Sequence, residues 1–164
     1  MKTHLPRGLR TKFVGNAFAT CAAALALQTP PAFAQLDGMQ KIDTPHRFAQ
    51  LQERLTQAVA RHGMAIVAAA SASTGAAARG VTIPGNAVVM VFRNDYAVRM
   101  LEASVPAGIE APLRYYLVEN PDGTSTLSWR TPSATFAPYR SAKLDELVRE
   151  LDPVFEAIAR DAGR

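Results

Sequence analysis

The chain has 164 residues, 48% of them apolar, and it carries a formal net charge of +4. Four of its 18 Lys and Arg residues precede position 35, so the remaining chain balances 14 basic against 14 acidic residues. That neutral balance argues against non-specific nucleic-acid binding, and the position of the single cysteine, Cys21, excludes a disulfide after residue 34.

The first 34 residues have the composition of a secretory signal peptide. A head with four basic residues precedes the apolar stretch 17–27, and the segment ends on the small-x-small triplet Ala32-Phe33-Ala34. We therefore expect cleavage after Ala34, a single mature domain over 35–164, and a periplasmic or secreted location. The apolar stretch is about half of the ~20 residues that a bilayer span needs, so no membrane attachment is expected after cleavage.

The mature chain begins with a helical pattern followed by an apolar run. Apolar residues at helical spacing predict an amphipathic helix over 45–62, with Thr44 as its N-cap and Gly63 as its end. The short apolar run 64–70 predicts a buried strand. A further short helix is predicted over 76–79.

The rest of the chain alternates strand and helix signals. Three strands are predicted, over 87–92, 113–119 and 124–130. Short helices are predicted from Asn94 or Asp95 to about Ser104 and from Thr131 to Pro138. A last amphipathic helix begins at Ser141, and Pro153 predicts a break at Asp152, which then caps a second segment.

The turn Asn120-Pro121-Asp122-Gly123 predicts a β-hairpin with a defined register. A bulged loop with Gly123 in the left-handed region pairs Asn120 with Thr124. Large apolar side chains then share one face: Tyr115 lies opposite Trp129, and Leu117 opposite Leu127. The other face places Arg114 directly opposite Arg130, an arrangement that destabilises a sheet unless something neutralises the two charges.

The order of short motifs resembles the DUF302 family, a bacterial domain of unknown function. The motifs are a helix-ending Gly, a Gly-x-x-x-Pro connector, a Phe-Gly-Asn-Pro motif after an apolar strand, a Leu-Pro pair, an Asp-Gly turn and a Tyr-x-x-Pro close. Their counterparts here are Gly63, Gly80 to Pro84, Phe92 to Asp95, Ala111 to Leu113, Glu119 to Gly123 and Trp129 to Pro132.

The resemblance implies an antiparallel sheet with helices packed mainly on one face, and it lends no settled activity. This agrees with the fold that the predicted elements favour: an α/β domain of the α+β type, a two-layer sandwich with a mostly antiparallel sheet. Three residues depart from the family pattern, since Arg93 replaces Gly, Asp95 replaces Pro and Ala111 replaces Leu. Where the Phe-Gly-Asn-Pro motif forms part of a site, Arg93 is expected to crowd it.

Neither metal nor cofactor chemistry is expected. The mature chain has two histidines, His46 and His62, sixteen residues apart and without a cysteine, which is not a ligand cluster. No nucleophile-elbow sequence or phosphate loop occurs.

The expected function is non-enzymatic, an exported ligand-binding or accessory domain that uses the open face of the sheet. The expected site residues are Arg114, Tyr116, Ser128, Arg130 and Asn94, with a small anion held between two guanidinium groups. In an alternative without a ligand, an acidic residue of the last helix or of a partner chain neutralises the arginines. Two other functions stay open: a small hydrolase or isomerase using Asn94, Asp95 and Glu119, and a homodimerising structural module.

Overall fold

Five antiparallel strands form one sheet in the computed structural model, which describes Met1 and residues 37–164. The strands are β1 (Met39–Thr44), β2 (Ala65–Ala70), β3 (Asn86–Phe92), β4 (Leu113–Glu119) and β5 (Ser125–Arg130). They lie in the order β1-β5-β4-β3-β2. Apart from Met1, the predicted leader over 1–34 lies outside the described residues.

The helices are α1 (Phe48–Arg61), α2 (Ala72–Ala77), α3 (Asn94–Ala103), α4 (Pro132–Phe136) and α5 (Ala142–Gly163). Two short 3-10 helices lie between α3 and α5. Val105–Glu110 follows α3, and Ala137–Tyr139 precedes α5. Among the described residues, no helix combines the length and the apolar composition that crossing a membrane requires.

The core lies between α1, α5 and one face of the sheet. Tyr115 stands at its centre, fully buried, with its ring stacked on Phe155 at a centroid distance of 5.1 Å and tilted against Trp129 at 6.0 Å. Its hydroxyl donates a hydrogen bond of 2.9 Å to the carbonyl oxygen of Phe155. The helices of residues 37–164 therefore cover one face of the sheet and leave the other open, which confirms the predicted α+β fold.

The predicted hairpin register is confirmed. Tyr115 pairs with Trp129 and Leu117 with Leu127, and all four side chains are buried. The Asn120 amide donates to the Thr124 carbonyl at 2.8 Å, and Gly123 has a φ of 80°. The left-handed residue thus closes the bulged loop as the turn chemistry required.

The N-cap predicted for the first helix is wrong, because residues 39–44 form an unpredicted strand. Thr44 is the last residue of β1 and is buried, and its hydroxyl donates to the Ser125 carbonyl at 2.8 Å. The position before α1 is taken by Arg47, whose side chain makes no cap hydrogen bond. The predicted helix end is confirmed, since Gly63 has a φ of 69° and follows the C-cap His62.

The strand predicted as buried is also a correction. β2 lies at the edge of the sheet, next to β3 alone in the order, and four of its last five residues are exposed. An apolar run of this length does not distinguish an interior strand from an edge strand made of small side chains.

The predicted break at Asp152 is wrong, since α5 continues through Pro153 from Ala142 to Gly163. Proline removes one hydrogen bond and crowds the carbonyl of Arg149, but its own ring is exposed. Buried residues on both sides of Pro153 hold the two halves of the helix against the same core. Asp152 instead caps another helix, because its Oδ1 accepts a 2.9 Å hydrogen bond from the Ser133 amide in the first turn of α4.

Candidate ligand-binding site

Side chains cross the open face of the sheet in rows set by the strand register. One row runs across four strands as Met90, Arg114, Arg130 and Met39. In it, Met90 pairs with Arg114 and Met39 with Arg130, and continuing the β4–β5 register by one residue sets Arg114 opposite Arg130. The next row contains Val88, Tyr116, Ser128 and Lys41. We call Arg114, Arg130, Tyr116 and Ser128, with the side chains that surround them at this end of the sheet, the arginine site; Lys41 and Met90 lie outside it.

The two arginines are exposed and lack a carboxylate partner within residues 37–164. Arg130 donates from Nε to the carbonyl oxygen of Asp37 at 3.3 Å. An acidic residue of the last helix does not neutralise the pair, because α5 packs against the opposite face of the sheet. The predicted neutralisation by the last helix is therefore wrong, and neutralisation by a partner chain stays a prediction.

A pocket of about 220 Å³ opens at this end of the open face. Its lining includes four of the five predicted site residues, namely Arg114, Tyr116, Ser128 and Arg130. The other lining residues are Met39, Val88, Glu110, Leu113, Tyr115, Trp129 and Thr135. The pocket therefore combines two guanidinium groups with a mostly apolar wall.

Glu110 supplies the one carboxylate of the pocket lining. It ends a 3-10 helix, and its Oε1 accepts a hydrogen bond of 3.0 Å from the Tyr139 hydroxyl. Burial raises the pKa of Tyr139, and the hydrogen bond and the charge of Glu110 raise it further. The tyrosine thus remains a proton donor at neutral pH and holds the carboxylate at the rim of the pocket.

Comparison with known proteins supports the resemblance seen in the motifs. The sequence profile of DUF302, a domain of unknown function, matches residues 40–160. The chain belongs to the DUF302 family. No curated protein matches the chain.

A solved DUF302 structure has the same fold. The crystal structure of an uncharacterized conserved DUF302 protein from Bacillus stearothermophilus superposes with a TM-score of 0.70 at 16% sequence identity. The alignment covers 79% of this chain and 100% of that one. At this identity the likeness shows the fold alone.

The two departures from the DUF302 motif after β3 are paired with each other. Arg93 donates to both carboxylate oxygens of Asp95, from Nε at 2.7 Å and from the terminal nitrogen at 2.9 Å. The Arg93 guanidinium also lies 3.7 Å from the centroid of the Tyr96 ring. The hydrogen bond from Arg93 lowers the pKa of Asp95. Replacement of Gly by Arg and of Pro by Asp therefore yields an ion pair at the start of α3.

The fifth predicted site residue, Asn94, does not lie with the other four. It is the exposed first residue of α3, beyond the end of β3, and it is absent from the pocket lining. The proposed carboxylate constellation is not brought together either. Asp95 follows the end of β3 that pairs with Leu113, whereas Glu119 lies at the other end of β4 and accepts a 2.7 Å hydrogen bond from the Gly85 amide.

In this DUF302 chain no metal centre is found among residues 37–164, where no three His, Cys, Asp or Glu side chains are grouped to hold an ion. His62 instead hydrogen-bonds Asp161 at 2.9 Å, and His46 is buried beside Thr44 at the start of α1.

Sequence reasoning missed the residues that the other elements bring to the arginine site. Met39 arrives on the unpredicted β1, and Val88 on the neighbouring strand β3. Glu110 and Thr135 come from a 3-10 helix and from α4. The signal for β1 in the sequence was a weak two-residue alternation, in which Met39, Lys41 and Asp43 share one face and Gln40 and Ile42 share the other.

Proposed function

We propose that this DUF302 protein is an exported, non-enzymatic domain that binds a small anionic ligand at the arginine site. The observation that carries the proposal is that Arg114 and Arg130 line one pocket on the open face, with no carboxylate paired to either within residues 37–164. Export is supported by the basic head, apolar middle and Ala-x-Ala end of the first 34 residues.

Electrostatics favours an anion at this place. Like charges directly opposite each other on neighbouring strands destabilise a sheet by a few tenths of a kcal/mol, roughly up to 1. An anion between them removes that repulsion and accepts charge-assisted hydrogen bonds from both guanidinium groups. The planar fork of arginine suits carboxylates and phosphates better than the point charge of lysine does.

Thermal melting of the wild type and of Arg130→Gln tests the proposal. The melts are run with sulfate, phosphate or a small carboxylate replacing chloride at matched ionic strength. At least one of these anions should raise the melting temperature of the wild type, and the gain should vanish in the variant.

Lys41→Gln is the matched control, because Lys41 lies on the same face but outside the pocket lining and pairs with Asp43 at 3.2 Å. This variant should keep the anion effect. The proposal fails when no anion stabilises the wild type, or when Arg130→Gln stabilises the domain in chloride and responds to anions as the wild type does.

A further inference from the structure

The lining of the arginine site specifies more than the sign of the ligand's charge. We infer that its ligand is a small monoanion with an apolar body, of the class of aromatic or branched carboxylates. The inference rests on the proposed function and concerns which anions the site prefers. It follows from the charge balance, from the chemistry of the wall and from the size of the pocket.

The charged groups of the lining leave a net charge of one positive unit. Arg114 and Arg130 contribute two positive charges, and Glu110 contributes one negative charge. Because Tyr139 donates to one oxygen of Glu110, the carboxylate is held at the pocket, and its charge opposes part of the attraction that the arginines exert on an anion. A monoanion brings the net charge of the pocket to zero, whereas a dianion such as phosphate leaves an excess of one negative charge beside Glu110.

The wall of the pocket is mostly apolar or aromatic. Val88 pairs with Tyr116 across β3 and β4, and both residues are half-buried. Met39 flanks Arg130 on the other side, through its position on β1. Methionine and aromatic side chains provide adaptable apolar contact area, which an inorganic anion leaves unused.

Strand geometry places the charged pair and the apolar wall of the pocket side by side. Arg114 and Tyr116 lie two residues apart on β4 and therefore point to the same face, and Arg130 and Ser128 do so on β5. A carboxylate bound at the arginine row extends its body over the adjacent row of Val88, Tyr116 and Ser128. The buried Ser128 hydroxyl already donates, at 3.4 Å, to the Tyr116 carbonyl and forms the floor.

The size of the pocket limits the body to a small group. A volume of about 220 Å³ is below the range of about 300–1,000 Å³ that holds drug-sized ligands. One ring or a short branched chain fits, whereas a nucleotide or an extended lipid does not.

Isothermal titration of the purified full chain with four probes tests the inference. Benzoate is the apolar monoanion, benzamide its neutral counterpart, acetate the monoanion without the ring, and phosphate the inorganic anion. Benzoate should bind at least tenfold more tightly than acetate and phosphate, and benzamide should give no measurable heat.

Three variants and one control, Lys41→Gln, assign the preference for benzoate to individual residues. Arg130→Gln should abolish benzoate binding. Val88→Thr keeps the side-chain shape and should weaken benzoate several-fold with little change for acetate. Glu110→Gln should improve phosphate binding more than benzoate binding, and Lys41→Gln should leave the order of the four probes unchanged.

The outcomes separate this inference from the proposed function. Phosphate or acetate binding that equals or exceeds benzoate binding and depends on Arg130 overturns the inference and leaves the anion site standing. Benzoate binding that survives Arg130→Gln, or benzamide binding as tight as that of benzoate, also overturns it. Absence of binding by all three anions overturns both.

Discussion

At the scale of single residues, Tyr115 joins the sheet to the longest helix. Its ring contacts Phe155 and Trp129, and its hydroxyl reaches the Phe155 carbonyl in the middle of α5. Burial raises the pKa of Tyr115 well above its ordinary value, so the hydroxyl keeps its proton at neutral pH and into the alkaline range.

Tyr115→Phe should lower the free energy of unfolding by about 1–2 kcal/mol, because it removes this hydrogen bond and leaves a buried carbonyl with one donor fewer. Urea unfolding measures the change. Tyr116→Phe is the control, since Tyr116 lies half-buried on the open face, and its unfolding free energy should be nearly that of the wild type. Equal losses in both variants would contradict this role of the Tyr115 hydroxyl.

The residues of the arginine site differ in how far the sequence could predict them. Arg114 and Arg130 follow from the two-residue period of a strand and from the turn at Asn120–Gly123, which together fix the register. Glu110 could not be predicted in the same way, because it comes from a 3-10 helix whose position depends on packing against α3 and α4. Asn94 belongs to the Phe-Gly-Asn-Pro motif and not to a strand register, and it lies apart from the pocket.

At the scale of elements, α5 has a periodicity that continues in phase across Pro153. Its buried residues keep helical spacing along the whole helix: Leu144, Leu147, Val148, Leu151, Phe155, Ile158, Ala159 and Ala162. This unbroken spacing was the signal in the sequence for one continuous helix despite the proline. Local propensity is overridden here because both halves bury apolar area against the same core.

Pro153→Ala should therefore stabilise the domain, by about 1–3 kcal/mol, because alanine restores the hydrogen bond to the Arg149 carbonyl in a helix that already exists. The gain is offset in part by the greater freedom of the unfolded chain. Thermal melting measures the shift. A lower melting temperature for Pro153→Ala would contradict the continuous helix and favour a true break at this position.

The ends of α1 and α5 are joined by His62 and Asp161, whose side chains lie 2.9 Å apart. The hydrogen bond from His62 lowers the pKa of Asp161 below 3.8, and nearby Arg61 and Arg164 lower it further. A carboxyl group with a lowered pKa contributes stability that is full above its ordinary pKa and is lost as the pH falls through the folded value.

The wild type should therefore lose more stability than Asp161→Asn when the pH is lowered from 6 to below 3.8. Urea unfolding at both pH values measures the difference between the two proteins. Glu146→Gln is the control, since Glu146 is an exposed residue of the same helix, and it should follow the wild type. A pH dependence that is identical in wild type and Asp161→Asn would contradict the coupling.

At the scale of the whole molecule, the topology gives the two faces of the sheet different roles. All the large helices of the described region pack on one face, so the charged rows on the other remain accessible. The alternation in the hairpin and the resemblance to DUF302 predicted this division, but β1 was not predicted because only Ile42 marks its buried side clearly. The pocket itself requires side chains from four strands, one 3-10 helix and α4, and only the assembled fold brings them together.

The most direct test of the account is a map of backbone amide shifts by NMR while benzoate is added to the protein. The account predicts that the largest shifts cluster on neighbouring strands of the open face, at Arg114, Tyr116, Ser128 and Arg130, and that they disappear in Arg130→Gln. Shifts concentrated at the start of α3, around Asn94, or spread evenly over the surface, would contradict it.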